Sequence, residues 1–89
     1  MGSLIAGPVK GDGSWDLYAS FPSAAGRKDG QVAVSTDMGK TFQIKKIIKG
    51  AFAYSATRIS PDGRSLLCLY ESGGYKSIRL LRIPLEELR

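Results

Sequence analysis

Seven short runs of strand-like sequence, each closed by glycine, proline or aspartate, confine this 89-residue chain to an all-β fold. "SLIAGPV" (3–9) is apolar and ends at Pro8 and Gly11–Gly13. "SWDLYASF" (14–21) alternates Trp15, Leu17, Ala19 and Phe21 with Ser14, Asp16, Tyr18 and Ser20. "QVAVST" (31–36) alternates around Val32 and Val34. "FQIKKII" (42–48), "AYSATRIS" (53–60), "SLLCLYE" (65–71) and "KSIRLLRIP" (76–84) complete the set. The run at 65–71 is almost continuously apolar, which predicts burial on both faces. After Pro84, "LEEL" predicts one short helical turn. The turns between runs use residues with physical reasons to be there, such as the Pro-Asp-Gly of "SPDGR". The strands fall into two groups, four in 3–48 and three in 53–84. Since a propeller blade is a four-stranded antiparallel sheet, the chain reads as one complete blade and one lacking a strand.

Composition removes several chemistries. With no histidine and one cysteine, Cys68, the chain can form no intrachain disulfide, Ser-His-Asp triad or zinc finger. No metal and no cofactor is expected. Cys68 stands in the most apolar run and reads as a core residue. The formal charge of +5 mildly favours an anionic partner without choosing one. The basic "KKIIK" (45–49) reads as a solvated or edge-protecting face rather than a nucleic-acid site. No run approaches the length of a membrane span, and the first residues lack the basic start and apolar core of a signal peptide.

The segment "STDMGKTF" (35–42) sits between the third and fourth runs. Its residues have the chemistry of a tight turn. Asp37 can accept backbone N–H groups from the residues that follow it, Gly39 can supply a positive φ, and the Thr41 hydroxyl can bond across the turn. Phe42 is expected to open the next strand and pack inward. No residue here is a nucleophile with an adjacent base.

At Ser35, Asp37, Gly39, Thr41 and Phe42 the chain resembles the Asp-box of sialidases and other propellers, which joins the third and fourth strands of a blade. The remainder of the chain resembles the C-terminal end of bacterial exo-α-sialidases. The likeness runs through "GSLI", "LYASFPSAAGRKDGQVAVSTDMGKTF" and "FAYSATRISPDGRSLLCLYESGGYKSIRLLRIPLEEL". It implies the last two blades of a six-bladed β-propeller, with residues 1–50 as the penultimate blade and 51–89 as the last blade and tail. It also implies upstream blades outside these residues.

The resemblance assigns roles residue by residue. Arg27, eight residues before Ser35, matches the third arginine of the sialidase triad that binds the substrate carboxylate. On position alone it is equally a solvated loop arginine beside Lys28, and Phe21 stands where the family has Asn or His. Tyr54 in "AFAYSAT" matches the nucleophile. A neutral phenol avoids the repulsion a carboxylate nucleophile would meet from the sugar's own carboxylate. Without the resemblance, Tyr54 reads as a packing tyrosine at a strand start, as Tyr70 and Tyr75 do. Glu71 matches a glutamate that orients the first triad arginine, or else is an exposed strand-end carboxylate. "RIP" (82–84) mimics a motif from the other end of the family's domain, so Arg82 is not assigned to substrate.

Two functions follow. The first is the C-terminal part of a retaining exo-α-sialidase that removes terminal sialic acids from glycoconjugates. The acid/base aspartate, the partner glutamate and two arginines would lie elsewhere, leaving the 89 residues inactive alone. The second is a non-catalytic Asp-box propeller piece acting as scaffold or glycan-binding module. Partners would be a sialylated glycan and either the rest of the propeller or further copies of this chain, with neither nucleic acid nor membrane. The family implies a secreted, periplasmic or cell-surface setting.

Overall fold

A computed structural model of the protein describes residues 2–23, 26, 28–72 and 77–88. It is mostly β, with two antiparallel sheets. The first contains β1 (Ser3–Ala6), β2 (Leu17–Phe21), β3 (Lys28–Ser35) and β4 (Gln43–Ala51), hydrogen-bonded in that order. The second contains β5 (Ser55–Ile59), β6 (Ser65–Ser72) and β7 (Ser77–Pro84), again in chain order. A 3-10 helix, Leu85–Leu88, follows β7. All seven strands and the terminal turn stand where the sequence places them, and the division into four and three strands is as expected. Arg27 and Tyr75 lie outside the described residues.

The sheets pack face to face, with β1 and β2 against β5 and β4 approaching β6. Tyr18, Val32, Val34 and Ile48 come inward from the first sheet, and Leu66, Cys68 and Ile83 from the second. Phe52 enters from the connection between the sheets. Leu85 and Leu88 of the 3-10 helix close one end, where the Leu85 amide donates to the Arg64 carbonyl at 2.9 Å.

Two strands depart from the expected pattern. In β2 the more polar of the two alternating sets faces the second sheet: Asp16, Tyr18 and Ser20 are buried. This is tolerable because the polar atoms find partners. Lys10 Nζ reaches Asp16 Oδ1 at 2.8 Å, and Ser20 Oγ bonds Ser55 Oγ at 2.8 Å across the sheets. A second bond of this kind joins Ser3 Oγ and Thr57 Oγ1 at 2.8 Å, while the Thr57 amide donates to Ser3 Oγ. Ser3 thereby caps an edge of β5, which among the described residues pairs with β6 only.

The second departure is β6. Leu66 and Cys68 are fully buried, but Leu69 is 45% exposed, so only one face is covered. Its outward neighbours are apolar too. Leu69 lies between Ala56 and Leu80 in a cross-strand row, and Leu80 and Ile78 are 64% and 69% exposed. The outer face of the first sheet carries a matching row, Leu4–Ala19–Ala33–Ile44, whose end members are 62% and 54% exposed. Both outer surfaces of the two-sheet stack thus present apolar rows to solvent.

Gly30 in β3 permits the central packing. A Cβ there would overlap the Cγ, Cδ2 and Cε2 atoms of Phe52, whose side chain is fully buried and cannot swing away. Gly30→Ala is expected to cost about 1–3 kcal/mol, the range for overpacking a filled core. Thermal melting should show a fall of roughly 4–8 °C per kcal/mol; an unchanged midpoint would contradict this packing. The apolar rows give a separate expectation. Sedimentation should show self-association of the isolated chain, reduced by Leu80→Lys with no loss of melting temperature, since Leu80 touches solvent rather than core. A monodisperse wild-type monomer would contradict it.

Candidate functional site

The strand connections sort chemistry to two opposite ends of the stack. One end holds the β1–β2, β3–β4 and β5–β6 turns. The point where a Cβ would stand on Gly63 is 3.9 Å from Pro8 Cγ, which brings the first and third of these turns together. On Gly39 the same point lies 3.3 Å from Leu17 Cδ1.

The β3–β4 turn is built as its residue types dictate. Ser35 Oγ donates to Asp37 Oδ1 at 2.8 Å and accepts the Gly39 amide at 2.9 Å. The Thr41 amide donates to Asp37 Oδ1 at 2.9 Å, and the Thr41 hydroxyl donates to Asp37 Oδ2. Met38 and Gly39 take φ values of 62° and 92°, so two successive residues are left-handed and the chain reverses sharply. Phe42 differs from expectation: it precedes β4 and is 43% exposed. A bulge in the β3–β4 pairing between Val32 and Ala33 accompanies a β4 whose outer residues are largely in solvent.

The β5–β6 turn repeats the device. Ser60 Oγ donates to Asp62 Oδ1, the Arg64 amide donates to the same oxygen at 3.0 Å, and the Ser65 amide donates to Ser60 Oγ at 3.1 Å. The shared Ser-x-Asp spacing was the legible signal for this second network. Arg82 braces it, with Nε donating to Ser65 Oγ at 3.3 Å and Nη2 3.7 Å from Asp62 Oδ2. That bracing gives Arg82 a structural task. In the β1–β2 turn, Asp12 accepts the amide and hydroxyl of Ser14.

Tyr54 stands at the other end. β4 ends where Ala51 pairs with Lys28, the first residue of β3. Phe52 then turns inward and stacks on Tyr70, with ring centroids 4.8 Å apart and planes at 23°. The next two residues are fixed by β6: the Ala53 amide donates to the Glu71 carbonyl at 3.1 Å, and the Glu71 amide donates to the Tyr54 carbonyl at 3.0 Å. Tyr54 is thus held by its backbone while its side chain stays 52% exposed. It lines a groove of about 300 Å³ with Ala56, Leu69, Glu71 and Ile78. Asp37 lies beyond the far end of the eight-residue β3, roughly 25 Å away at 3.3 Å per residue.

Tyr54 and Glu71 are therefore brought together in one groove, and Asp37 with its turn is kept away from them. The Glu71 carboxylate has no ion-pair partner among the described residues. Among those residues no cluster of His, Cys, Asp or Glu can hold a metal ion. Sequence reasoning missed a cleft at this same end, between β4 and β6–β7, lined by Lys49 and Arg79. Its signal was faint, since "KKIIK" and "SIRLLR" are far apart in the chain. No protein-family model and no curated protein sequence gives a significant match to this chain.

The turn end titrates in a defined direction. Hydrogen bonds from the Thr41 hydroxyl, the Thr41 amide and Ser35 hold the Asp37 carboxyl at about 2, below its ordinary 3.8. Asp62, through Ser60 and the Arg64 amide, and Asp12, through Ser14, shift the same way. A carboxyl depressed on folding stabilises above its unfolded pKa and loses that contribution as pH falls through the folded value. The melting-temperature gap between wild type and Asp37→Asn should therefore be full above about pH 4 and shrink as pH falls towards about 2. A gap that stays constant across this range would show that the charge of Asp37 does not matter to the turn.

Proposed function

We propose that this chain forms the last two blades of a six-bladed exo-α-sialidase propeller and brings the nucleophile, Tyr54, and one carboxylate-binding arginine, Arg27, to its active site. One observation carries this reading. Tyr54 is fixed by its backbone to β6 and left exposed in a groove with Glu71, at the opposite end of the strands from the Ser35–Asp37–Thr41 turn. That is the separation expected if 35–42 is an Asp-box on the rim and Tyr54 faces substrate. The apolar outer face of each sheet supports the rest, because a blade inside a ring has a neighbour on both sides. The second sheet, with three strands, leaves room for a fourth.

The chemistry follows from charge. Sialic acid carries its carboxylate on the anomeric carbon, so guanidinium groups suit its binding and a neutral phenol suits the attack. As the phenol oxygen forms its bond to the anomeric carbon, its proton passes to a carboxylate base and the aglycone leaves with a proton from an acid. Water then cleaves the glycosyl-tyrosine with retention of configuration. Glu71 is assigned to orient a triad arginine. The base, the acid and two arginines come from outside these residues. The apolar lining of the groove by Leu69 and Ile78 favours a second reading, a non-catalytic scaffold or glycan-binding piece in which Tyr54 packs on a neighbouring blade.

The 89-residue chain is expected to leave a fluorogenic sialoside unhydrolysed. In a longer polypeptide carrying these blades, Tyr54→Phe should lower kcat by roughly 10³-fold or more with little change in KM. Arg27→Ala should raise KM, by about 1.5–3 kcal/mol for a charge-assisted contact. Turnover by the isolated chain that survives Tyr54→Phe, or unchanged kcat in the longer variant, would overturn the proposal. Inertness of the longer protein towards every sialoside would favour the scaffold.

A further inference from the structure

The geometry points to a second binding site, for a sulfate or phosphate group carried on a sugar, in the cleft between the two sheets beside β4. The cleft measures about 410 Å³ and is lined by Lys49 and Gly50 on one wall and Tyr70, Ser72, Ser77 and Arg79 on the other. It is a separate space from the Tyr54 groove. Residues alternate across a strand, so Glu71 and Ile78 line the Tyr54 groove while Ser72, Ser77 and Arg79 line this cleft, and Tyr70 borders both.

The lining of the cleft fits a tetrahedral oxyanion. Tyr70 pairs with Arg79 and Ser72 with Ser77 across β6 and β7, which sets cation and hydroxyls side by side on one wall. Arg79 Nε donates to Ser72 Oγ at 3.2 Å, and Ser72 Oγ bonds Ser77 Oγ at 3.0 Å. The guanidinium is thereby anchored through Nε, and neither it nor Lys49 has an ion-pair partner among the described residues. Lys49 lines the wall contributed by the other sheet, so both sheets bring a cationic residue to the cleft, which suits an oxyanion. On the Lys49 wall the Gly50 amide donates to Asp29 Oδ1 at 3.1 Å. Gly50 takes φ 97° there, with open space where a Cβ would stand, so the rim is shaped by a left-handed residue. The floor is rigid because Tyr70 is stacked on the buried Phe52. A volume of 410 Å³ exceeds what a bare ion fills, which leaves room for the sugar ring bearing it.

The test is an NMR titration of the whole 89-residue chain with glucose 6-sulfate, glucose 6-phosphate, inorganic phosphate and plain glucose. The esters should give saturable shifts confined to Lys49–Ala51, Ser72, Ser77 and the Arg79 side chain, weakening with added salt. Glucose should give none. Inorganic phosphate binding as tightly as the esters would assign the site to the free ion; tighter binding of the esters assigns it to the sugar-borne group. Lys49→Gln and Arg79→Gln should each weaken binding by roughly tenfold, about 1.4 kcal/mol. Lys49 is exposed at the end of β4, so its variant keeps the test decisive if Arg79→Gln unfolds the chain. Lys45→Gln, an exposed lysine of the same strand, should bind as wild type. Absence of saturable shifts, or equal weakening by Lys45→Gln, would overturn the proposal.

Discussion

The seating of Phe52 under Gly30 governs the rest of the molecule. Phe52 belongs to neither sheet, yet its ring is fully buried against a β3 glycine and stacked on Tyr70 of β6. One side chain thus fixes how far the sheets stand apart and where the chain crosses between them. Because Phe52 is locked inward, the residues after it have little freedom, and Ala53 and Tyr54 fall into register with Glu71. Tyr54 faces outward as a consequence of Phe52 facing inward. The same stack forms the floor of the cleft between Lys49 and Arg79, so both candidate sites inherit their geometry from one buried ring.

The packing is otherwise unusual in where it spends polarity. Hydroxyl pairs, Ser3 with Thr57 and Ser20 with Ser55, tie the sheets together on their inner faces, whereas the outer faces carry Leu4, Ile44, Leu69 and Leu80. These hydroxyl pairs sit beside the apolar core of Val32, Phe52, Leu66 and Cys68, so the interior is apolar with a few polar ties across it. Inner hydroxyl bonds are directional, so they specify the offset between sheets that methyl groups would leave loose. Outer apolar rows have no such partner within the chain.

Much of this was legible in the sequence because turns are local. Ser35, Asp37, Gly39 and Thr41 announce their hydrogen bonds through spacing alone, since every partner lies within four residues. The seven strands and the 3-10 helix after Pro84 were readable for the same reason. What could not be read depends on residues far apart in the chain. The exposure of Leu69 is set by the absence of a third layer beyond β6, which no window around it reveals. The inward turn of Tyr18 and Ser20 depends on Ser55, distant in sequence. Phe42 follows the turn but is released by the shifted pairing of β3 and β4. The Lys49–Arg79 cleft needs two sheets in contact before it exists.

The three aspartate turns and the tyrosine end also divide the labour of the strands. Asp12, Asp37 and Asp62 each hold a turn through hydrogen bonds that favour the ionised carboxylate. The opposite end is built differently. Tyr54 and Glu71 line the groove and Lys49 and Arg79 the cleft, with Tyr54 tied to Glu71 through their backbones and Arg79 bonded to Ser72. Rigid turns at one end therefore free the other to present reactive and charged groups without losing strand register. The two ends thus differ in kind, with aspartate-held turns at one and the Tyr54 groove and Lys49–Arg79 cleft at the other.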